Sequence, residues 1–378
     1  MAGVVAVEIA TTIEGPNRYR ALMLDGKKIS WVTVIDHRMR IGSAQVRMGG
    51  IGGVGTEKAE RMKGYSRCLM EDTVRYMRDE GFDVSALFGI RDFYPKFGYA
   101  VCLHSSSIAM ATRDAESAGA SVGDFQIRPF AEENHDSLID LYNSANRSRT
   151  GTLVRQRPQF AGIPKGSAFG TAAETIVLVD AASRVAGYAA YDRNDVDVIV
   201  TEVEAVDPAG FPNLLFEFAR LAIERRAGSI TLYLPPDHPF TEFCHRYECK
   251  VTFGYPRCGS GMMRIVSQDS LFEKIGEELS ARLANSRLAG RSARIGLRTD
   301  LGDTLLEIDR GRVTVRPGAS ADDSIELPQS MLMQLVTGYR TPRDLLTEPG
   351  ASFHGDALSL AEVLFPTQNA YVWAGDHF

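Results

Sequence analysis

Between Gly49 and Asp72 the chain reads GGIGGVGTEKAERMKGYSRCLMED, which gathers glycine, positive charge and the start of a helical pattern into one stretch. Arg61, Gly64 and Ser66 form an R-x-x-G-x-small loop. Glycine lets a phosphate approach the backbone, successive N–H groups and the end of the following helix attract an anion, and Arg61, Lys63 and Arg67 add charge. The chemistry offered is capture of a pyrophosphate. The plainer alternative is a helix N-terminus carrying solvated basic residues. Gly50, Gly52 and Gly55 also fit the G-x-G-x-x-G spacing of dinucleotide folds, which would suit a Rossmann-type NAD-binding oxidoreductase. In that fold the helix opens at the glycines, whereas here the polar segment TEKAERMK intervenes.

Further along, Tyr94 and Tyr99 stand in the segment FYPKFGY. A tyrosine, with an ordinary pKa near 10, can donate a proton to a leaving thiolate, but a cluster of aromatics is equally an ordinary packed core. His104 is a tempting base, although a lone histidine is more often simply satisfied by hydrogen bonds. Cys244, Cys249 and Cys258 with His245 offer zinc-type ligands, yet no C-x-x-C pair gives chelating spacing, and no metal is expected.

Several elements must position these groups. Strand-like runs ALML and ISWVTVI, separated by the turn DGKK, precede the glycine-rich run and predict an antiparallel hairpin system. Leu69, Met70, Thr73, Val74 and Met77 predict a helix over Ser66 to Glu80, capped by Gly81, before a strand from Val84 to Phe88. Small and polar residues at 113–124 predict a linker. Beyond it, a helix near His135 to Ala145, strands at Thr175 to Asp180 and Arg184 to Tyr191, and a helix near Phe211 to Arg225 predict a second domain. An amphipathic helix opens a third unit, with the strand runs ARIGLRTD, TLLEIDRGRVTVRP and SIELP behind it.

A chain of 378 residues exceeds one ordinary core, and 44% hydrophobic residues supply several. A net charge of −6 excludes a general nucleic-acid binder, which needs a basic face. No secretory signal or membrane-length apolar run is evident, and five scattered cysteines suit reduced thiols, so a cytoplasmic protein with no membrane partner is expected.

The Arg61–Ser66 loop resembles the (Q/R)-x-x-G-x-(G/A) pyrophosphate loop of the GCN5-related N-acetyltransferases, or GNAT superfamily, with Ser66 in place of glycine or alanine. The segment Phe93 to Tyr99 is similar to a recurring feature of the enhanced intracellular survival type. The resemblance implies an α/β (α+β) fold: two tandem GNAT-like mixed-sheet domains, at 1–120 and 125–268, followed by a small sterol carrier protein-like module at 269–378. It implies acetyl-coenzyme A held by Gly52, Gly53, Val54, Arg61, Met62, Lys63, Gly64, Tyr65, Ser66 and Arg67. Tyr94 would be the general acid, the terminal carboxylate of Phe378 the general base, and Asp376 an aid to a cationic amine. Acceptors would be lysine, polyamine or aminoglycoside-like amines, and the assembly a homo-oligomer, a trimer or hexamer. The second domain, whose IVTEVEAVDPAG leads into PNLLFEFAR without an R-x-x-G loop, should not bind the cofactor. Two helices that normally wall the acceptor pocket are missing before the first hairpin. A non-catalytic lipid-binding scaffold is the alternative from another class.

Overall fold

The computed structural model describes residues 7–378 apart from 91, 158, 159, 161, 258, 259, 319, 320 and 322. Four strands, β1 (Val7–Glu14), β2 (Asn17–Leu24), β3 (Lys27–Ile41) and β4 (Ala44–Thr56), form an antiparallel meander. The chain turns directly from β1 into β2 at Gly15–Pro16, with no helix between them. β4 leads to α1 (Tyr65–Asp79), which buries Leu69, Met70, Thr73, Val74 and Met77, the stripe expected from the sequence. Gly81 ends the helix region at φ 76°, as its position predicts. β5 (Val84–Phe88) then runs parallel to β4, and a short β6 (Ala100–Val101) follows a 3-10 turn at Tyr94–Phe97.

The next strand, β7 (Ser105–Ala111), leaves this sheet for another. It is joined there by β8 (Gln126–Pro129), β9 (Ala173–Val179), β10 (Val185–Asp192), β11 (Val198–Ala205), β12 (Ser229–Leu232) and β13 (Cys249–Gly254), in the order β13-β7-β12-β11-β10-β9-β8. β14 (Gly261–Ile265) then returns to the first sheet and inserts between β5 and β6, giving β1-β2-β3-β4-β5-β14-β6. The two sheets therefore exchange strands across the expected boundaries near 120 and 268. The sequence did not reveal this exchange, because a strand's alternation is the same whichever sheet accepts it.

The expected linker at 113–124 is a correction. Thr112–Glu116 is helix α2 and Ser117–Ser121 a 3-10 turn, packed on α4 (Phe211–Glu224). Ala115 and Ala118 are fully buried, and a Cβ on Gly119 would meet the ring of Phe216, so small residues mark close helix approach here. Helices α3 (His135–Ala145) and α5 (Pro239–Cys244) complete the second lobe.

The C-terminal module opens with α6 (Gln268–Ala284). It carries a five-stranded sheet of β15 (Ala293–Thr299), β16 (Gly302–Asp309), β17 (Arg312–Pro317), β18 (Asp323–Glu326) and β19 (Ser352–His354), with α7 (Gln329–Val336), α8 (Pro342–Leu345) and α9 (Ala357–Leu364). Its core is continuous with one face of the first sheet. Leu271, Phe272, Ile275 and Leu279 of α6 share a cluster with Met39, Ile41, Val46, Met48, Val84 and Ala86. The opposite face, with Leu22, Val34, Ile51 and Leu87, packs on α1. The first sheet is thus covered on both sides, once by its own helix and once by the third module. The last residues, 368–378, run out of that module along the second lobe and end at the first.

Candidate active site

β4 and β5 pair only as far as Ile51 with Leu87, while β4 continues to Thr56. Beyond Ile51 the edge of β4 that faces β5 is unpaired and a cleft opens. On its other edge, Trp31 pairs with Gly55 and Thr33 with Gly52, so Gly53 and Val54 oppose Val32 alone. This bulge re-aims the main chain at the cleft, and Gly53 supports it at φ 58°. The glycines once compatible with a dinucleotide motif therefore lie inside β4, before the turn and loop that lead to α1, rather than at a strand-to-helix turn, which removes the Rossmann reading.

At the far end of β4 a 3-10 turn (Lys58–Glu60) and the loop Arg61–Lys63 lead into α1. Gly64 is its N-cap in the left-handed region at φ 87°, without a capping side chain, and the first turn holds no acidic residue. The first intrahelical bond runs from the Cys68 N–H to the Gly64 carbonyl, leaving the Tyr65, Ser66 and Arg67 amides outside the helical ladder. Lys63 pairs with Glu60 at 2.9 Å, which raises its pKa, Arg61 donates to the Thr56 carbonyl at 3.3 Å, and Met62 is wholly exposed at φ 66°. Here the residues present fit a pyrophosphate: an uncapped fifteen-residue helix with basic side chains around it.

Of the two tyrosines, Tyr99 is fully buried, its hydroxyl 2.7 Å from Ser85 Oγ, which itself donates to the Gly49 carbonyl. Burial pushes its pKa to about 12. Tyr94 sits on Gly89 just past β5, and burial raises its pKa too. The turn that carries it is pinned by Arg264, which donates to the Phe97 carbonyl, and by Gln329 Nε2, 2.6 Å from the Gly98 carbonyl.

The chain end enters the cleft. The terminal carboxyl carbon of Phe378 lies 3.3 Å from where a Cβ on Gly52 would stand, and its ring 3.1 Å from one on Gly50. His37 and Phe88 flank that ring with centroids at 5.8 and 5.7 Å, and His377 packs on Phe88 at 3.8 Å. Burial holds the His377 imidazole neutral, with a pKa near 4. The Lys165 ammonium donates to the His377 carbonyl. Gly50 and Gly52 therefore make room for the last residue, and the structure brings Phe378 together with Gly52 and its neighbours.

Asp376 is a correction. Its carboxylate is buried, bound by Arg155 at 2.9 and 3.0 Å and by the Tyr142 hydroxyl at 2.8 Å, so it has no free oxygen face for a substrate amine. Arg155 and Glu202 were missed in the sequence. Nothing in TLVRQRP or IVTEVEAV marks two residues 47 apart as partners.

Beside the chain end lies a cavity of about 220 Å3 walled by Phe88, His104, Ser106, Tyr233, Tyr371 and His377 among others. His104 is buried, stacked on Tyr339 at 4.5 Å, with its pKa lowered to about 4 by burial. The Tyr339 backbone also faces its ring, in line with the expectation of a hydrogen-bonded histidine, while Ser106 Oγ is buried with no hydrogen-bond partner among the described residues. Of the expected zinc ligands, Cys244 is buried, Cys249 half-buried, and Cys258 lies outside the described residues. Among the described residues no helix is long and apolar enough to cross a membrane.

Residues 7–102, from β1 to β6, match the family model for the acetyltransferase (GNAT) domain. That segment is similar to a GNAT acetyltransferase domain. Three solved structures share its overall fold. A GCN5-related N-acetyltransferase from Anabaena variabilis matches at TM-score 0.76 and 17% identity over 95% of this chain and 89% of that one. Another from Kribbella flavida matches at 0.72 and 19%, over 96% and 87%. Eis1 from Mycobacterium abscessus matches at 0.66 and 17%, over 97% and 92%. No curated protein matches the sequence significantly. The splayed β4–β5 pair and the uncapped α1 lie within the matched GNAT segment, while Phe378 reaches it from the opposite end of the chain.

Proposed function

We propose that the protein transfers an acetyl group from acetyl-coenzyme A to a primary amine. The observation that carries this reading is the convergence, on one open cleft in a GNAT-like domain, of an anion-ready helix end, a bulged strand and the terminal carboxylate at Gly52. The Tyr65, Ser66 and Arg67 amides, with Arg61, Lys63 and Arg67, would hold the pyrophosphate, leaving Met62 free to lie along the ligand. Gly52, Gly53 and Val54 would face the rest of the cofactor, with main-chain N–H groups at the bulge polarising the carbonyl. The cofactor supplies an activated acyl thioester. The Phe378 carboxylate takes the proton from the incoming ammonium, directly or through a water. The Tyr94 hydroxyl, kept protonated by burial, gives its proton to the departing sulfur.

The acceptor would lie in the cavity beside the chain end. Among its described lining residues there is no Asp or Glu, and both lining histidines are neutral near pH 7. That chemistry suits an amine attached to an uncharged body, and suits polyamines and aminoglycosides poorly, since their further cations would have no counter-charge among these lining residues. The test is a thermal shift with acetyl-coenzyme A, followed by thiol release over a panel of neutral-bodied monoamines, lysine peptides, polyamines and aminoglycosides. A stabilising shift and turnover with amines are expected. A lipid-binding scaffold would shift with neither cofactor nor amine, and the absence of both responses would overturn the reading.

A further inference from the structure

The second lobe repeats the arrangement that makes the cleft in the first. β11 and β12 pair in parallel only from Val198–Ile230 to Val200–Leu232, although β11 runs on to Ala205. A cleft opens there as it does between β4 and β5. The helix that follows, α4, begins Phe-Pro-Asn, with no basic residue and no R-x-x-G loop, so nothing at its end would hold a pyrophosphate.

What fills this second cleft is the chain's own tail. Trp373 is fully buried in the second-lobe core, and its Nε1 donates to Asn146 Oδ1 at 3.0 Å, while Asn146 Nδ2 donates to Glu204 Oε1 of β11 at 2.9 Å. The following turn, Ala374–Asp376, lies on β11. A Cβ on Gly375 would stand 2.9 Å from Ile163 and 3.6 Å from Arg155 Nη2, so the turn seats directly on the guanidinium. Arg155 bonds Glu202 of β11 at 2.6 and 2.8 Å on one side and Asp376 at 2.9 and 3.0 Å on the other, and stacks on the Tyr142 ring at 3.6 Å. The Tyr188 hydroxyl donates to Glu202 at 2.5 Å and that of Tyr142 to Asp376 at 2.8 Å.

We propose that the β11–β12 cleft is a docking site for residues 371–376, and that Arg155 is a positioning residue for the terminal carboxylate. A cleft of the same geometry that holds cofactor in one lobe holds the catalytic tail in the other. Asp376 is two residues from Phe378, so anchoring its carboxylate fixes where the chain end meets Gly52. The chemistry also explains why charge was used for the task. A buried guanidinium between two carboxylates adds little net stability over apolar packing, but it has one satisfied geometry and therefore sets register. Removing Arg155 leaves two buried carboxylates without a counter-ion, and the mobile one, on the tail, leaves for water.

The proposal rests on Phe378 acting as base, and the experiment separates the two claims. In the full-length protein, Arg155→Met and Asp376→Asn are compared with deletion of Phe378 and with the double variant of Arg155→Met and that deletion. Asp376→Asn keeps the Arg155–Glu202 pair and guards against loss of the fold. For both substitutions, turnover at saturating amine is expected to fall at least tenfold, the thermal shift with acetyl-coenzyme A to persist, and carboxypeptidase to release the C-terminal residues faster. The double variant should be no slower than the deletion alone, because Arg155 acts through the tail. If the deletion retains full turnover, the base reading fails, and the dock is judged on carboxypeptidase protection. If the deletion abolishes turnover while both substitutions keep wild-type rate and protection, the dock is overturned.

Discussion

The two tyrosines of FYPKFGY differ in what their hydroxyls touch, and that difference sorts their roles. Tyr99 is committed to Ser85 deep under the sheet, whereas Tyr94 packs on Gly89 just past the end of β5. Tyr94→Phe should leave the acetyl-coenzyme A thermal shift unchanged and lower turnover by about 10²- to 10⁴-fold, the ordinary contribution of a positioned proton donor. Tyr99→Phe should instead lower stability by about 1 kcal/mol at little cost in rate, since it removes a buried hydrogen bond. The pH profile adds a check with a defined sign. Burial raises the Tyr94 pKa above its usual 10.0, so the acid stays protonated and no alkaline loss of turnover from this group is expected below pH 10. A loss centred near pH 8 that disappears in Tyr94→Phe would contradict that. Gly52 gives a second test at this scale, because its missing side chain makes room for the terminal carboxyl. Gly52→Val should displace Phe378 and cut turnover severely while the far-ultraviolet circular dichroism stays native. Undiminished turnover would mean that the chain end does not work from that position.

At the scale of elements, the anion site is the end of one helix. Gly64→Glu puts a carboxylate at the uncapped N-terminus of α1 and a side chain where φ is 87°, so it opposes a bound pyrophosphate by charge and strains the cap as well. Acetyl-coenzyme A affinity should fall by at least tenfold by calorimetry, and an unchanged affinity would dismiss the loop. Most of this element was legible in the sequence. The glycine-rich run, the basic loop, the helical stripe of α1 and the strand at Val84–Phe88 all follow from local spacing, and each formed close to where spacing predicts it. The partner of each strand was not legible. β7 and β14 look like ordinary consecutive strands, yet each pairs with the other lobe. Likewise Ala115, Ala118 and Gly119 read as a linker because small residues serve flexible segments and tight helix packing alike. Asp376 read as a substrate anion because its guanidinium partner lies 221 residues away in sequence.

For the whole molecule, the strand exchange and the shared core predict that the three modules do not fold separately. β14 closes the first sheet from beyond the second lobe, α6 covers the face of that sheet formed by Met39, Ile41, Val46, Met48, Val84 and Ala86, and the tail then ties the second lobe to the first. Burial of a large apolar side chain contributes roughly 1.5–3 kcal/mol, so uncovering the five larger ones would remove about 10 kcal/mol, comparable with the whole stability of a typical domain at about 5–15 kcal/mol. The two tryptophans make this measurable. Trp31 lies in β3 of the first sheet and Trp373 in the second-lobe core, so Trp31→Phe leaves one reporter in the second lobe and Trp373→Phe leaves one in the first. Urea unfolding followed by the remaining tryptophan in each variant should give coincident transitions with matching slopes, once each is referred to its own far-ultraviolet curve. Removal of residues 269–378, which takes Trp373 with it, should leave a chain without a cooperative transition at Trp31. Two well-separated transitions in the full-length variants, or a cooperative one in the truncated chain, would show that the exchanged strands join lobes which are already stable alone.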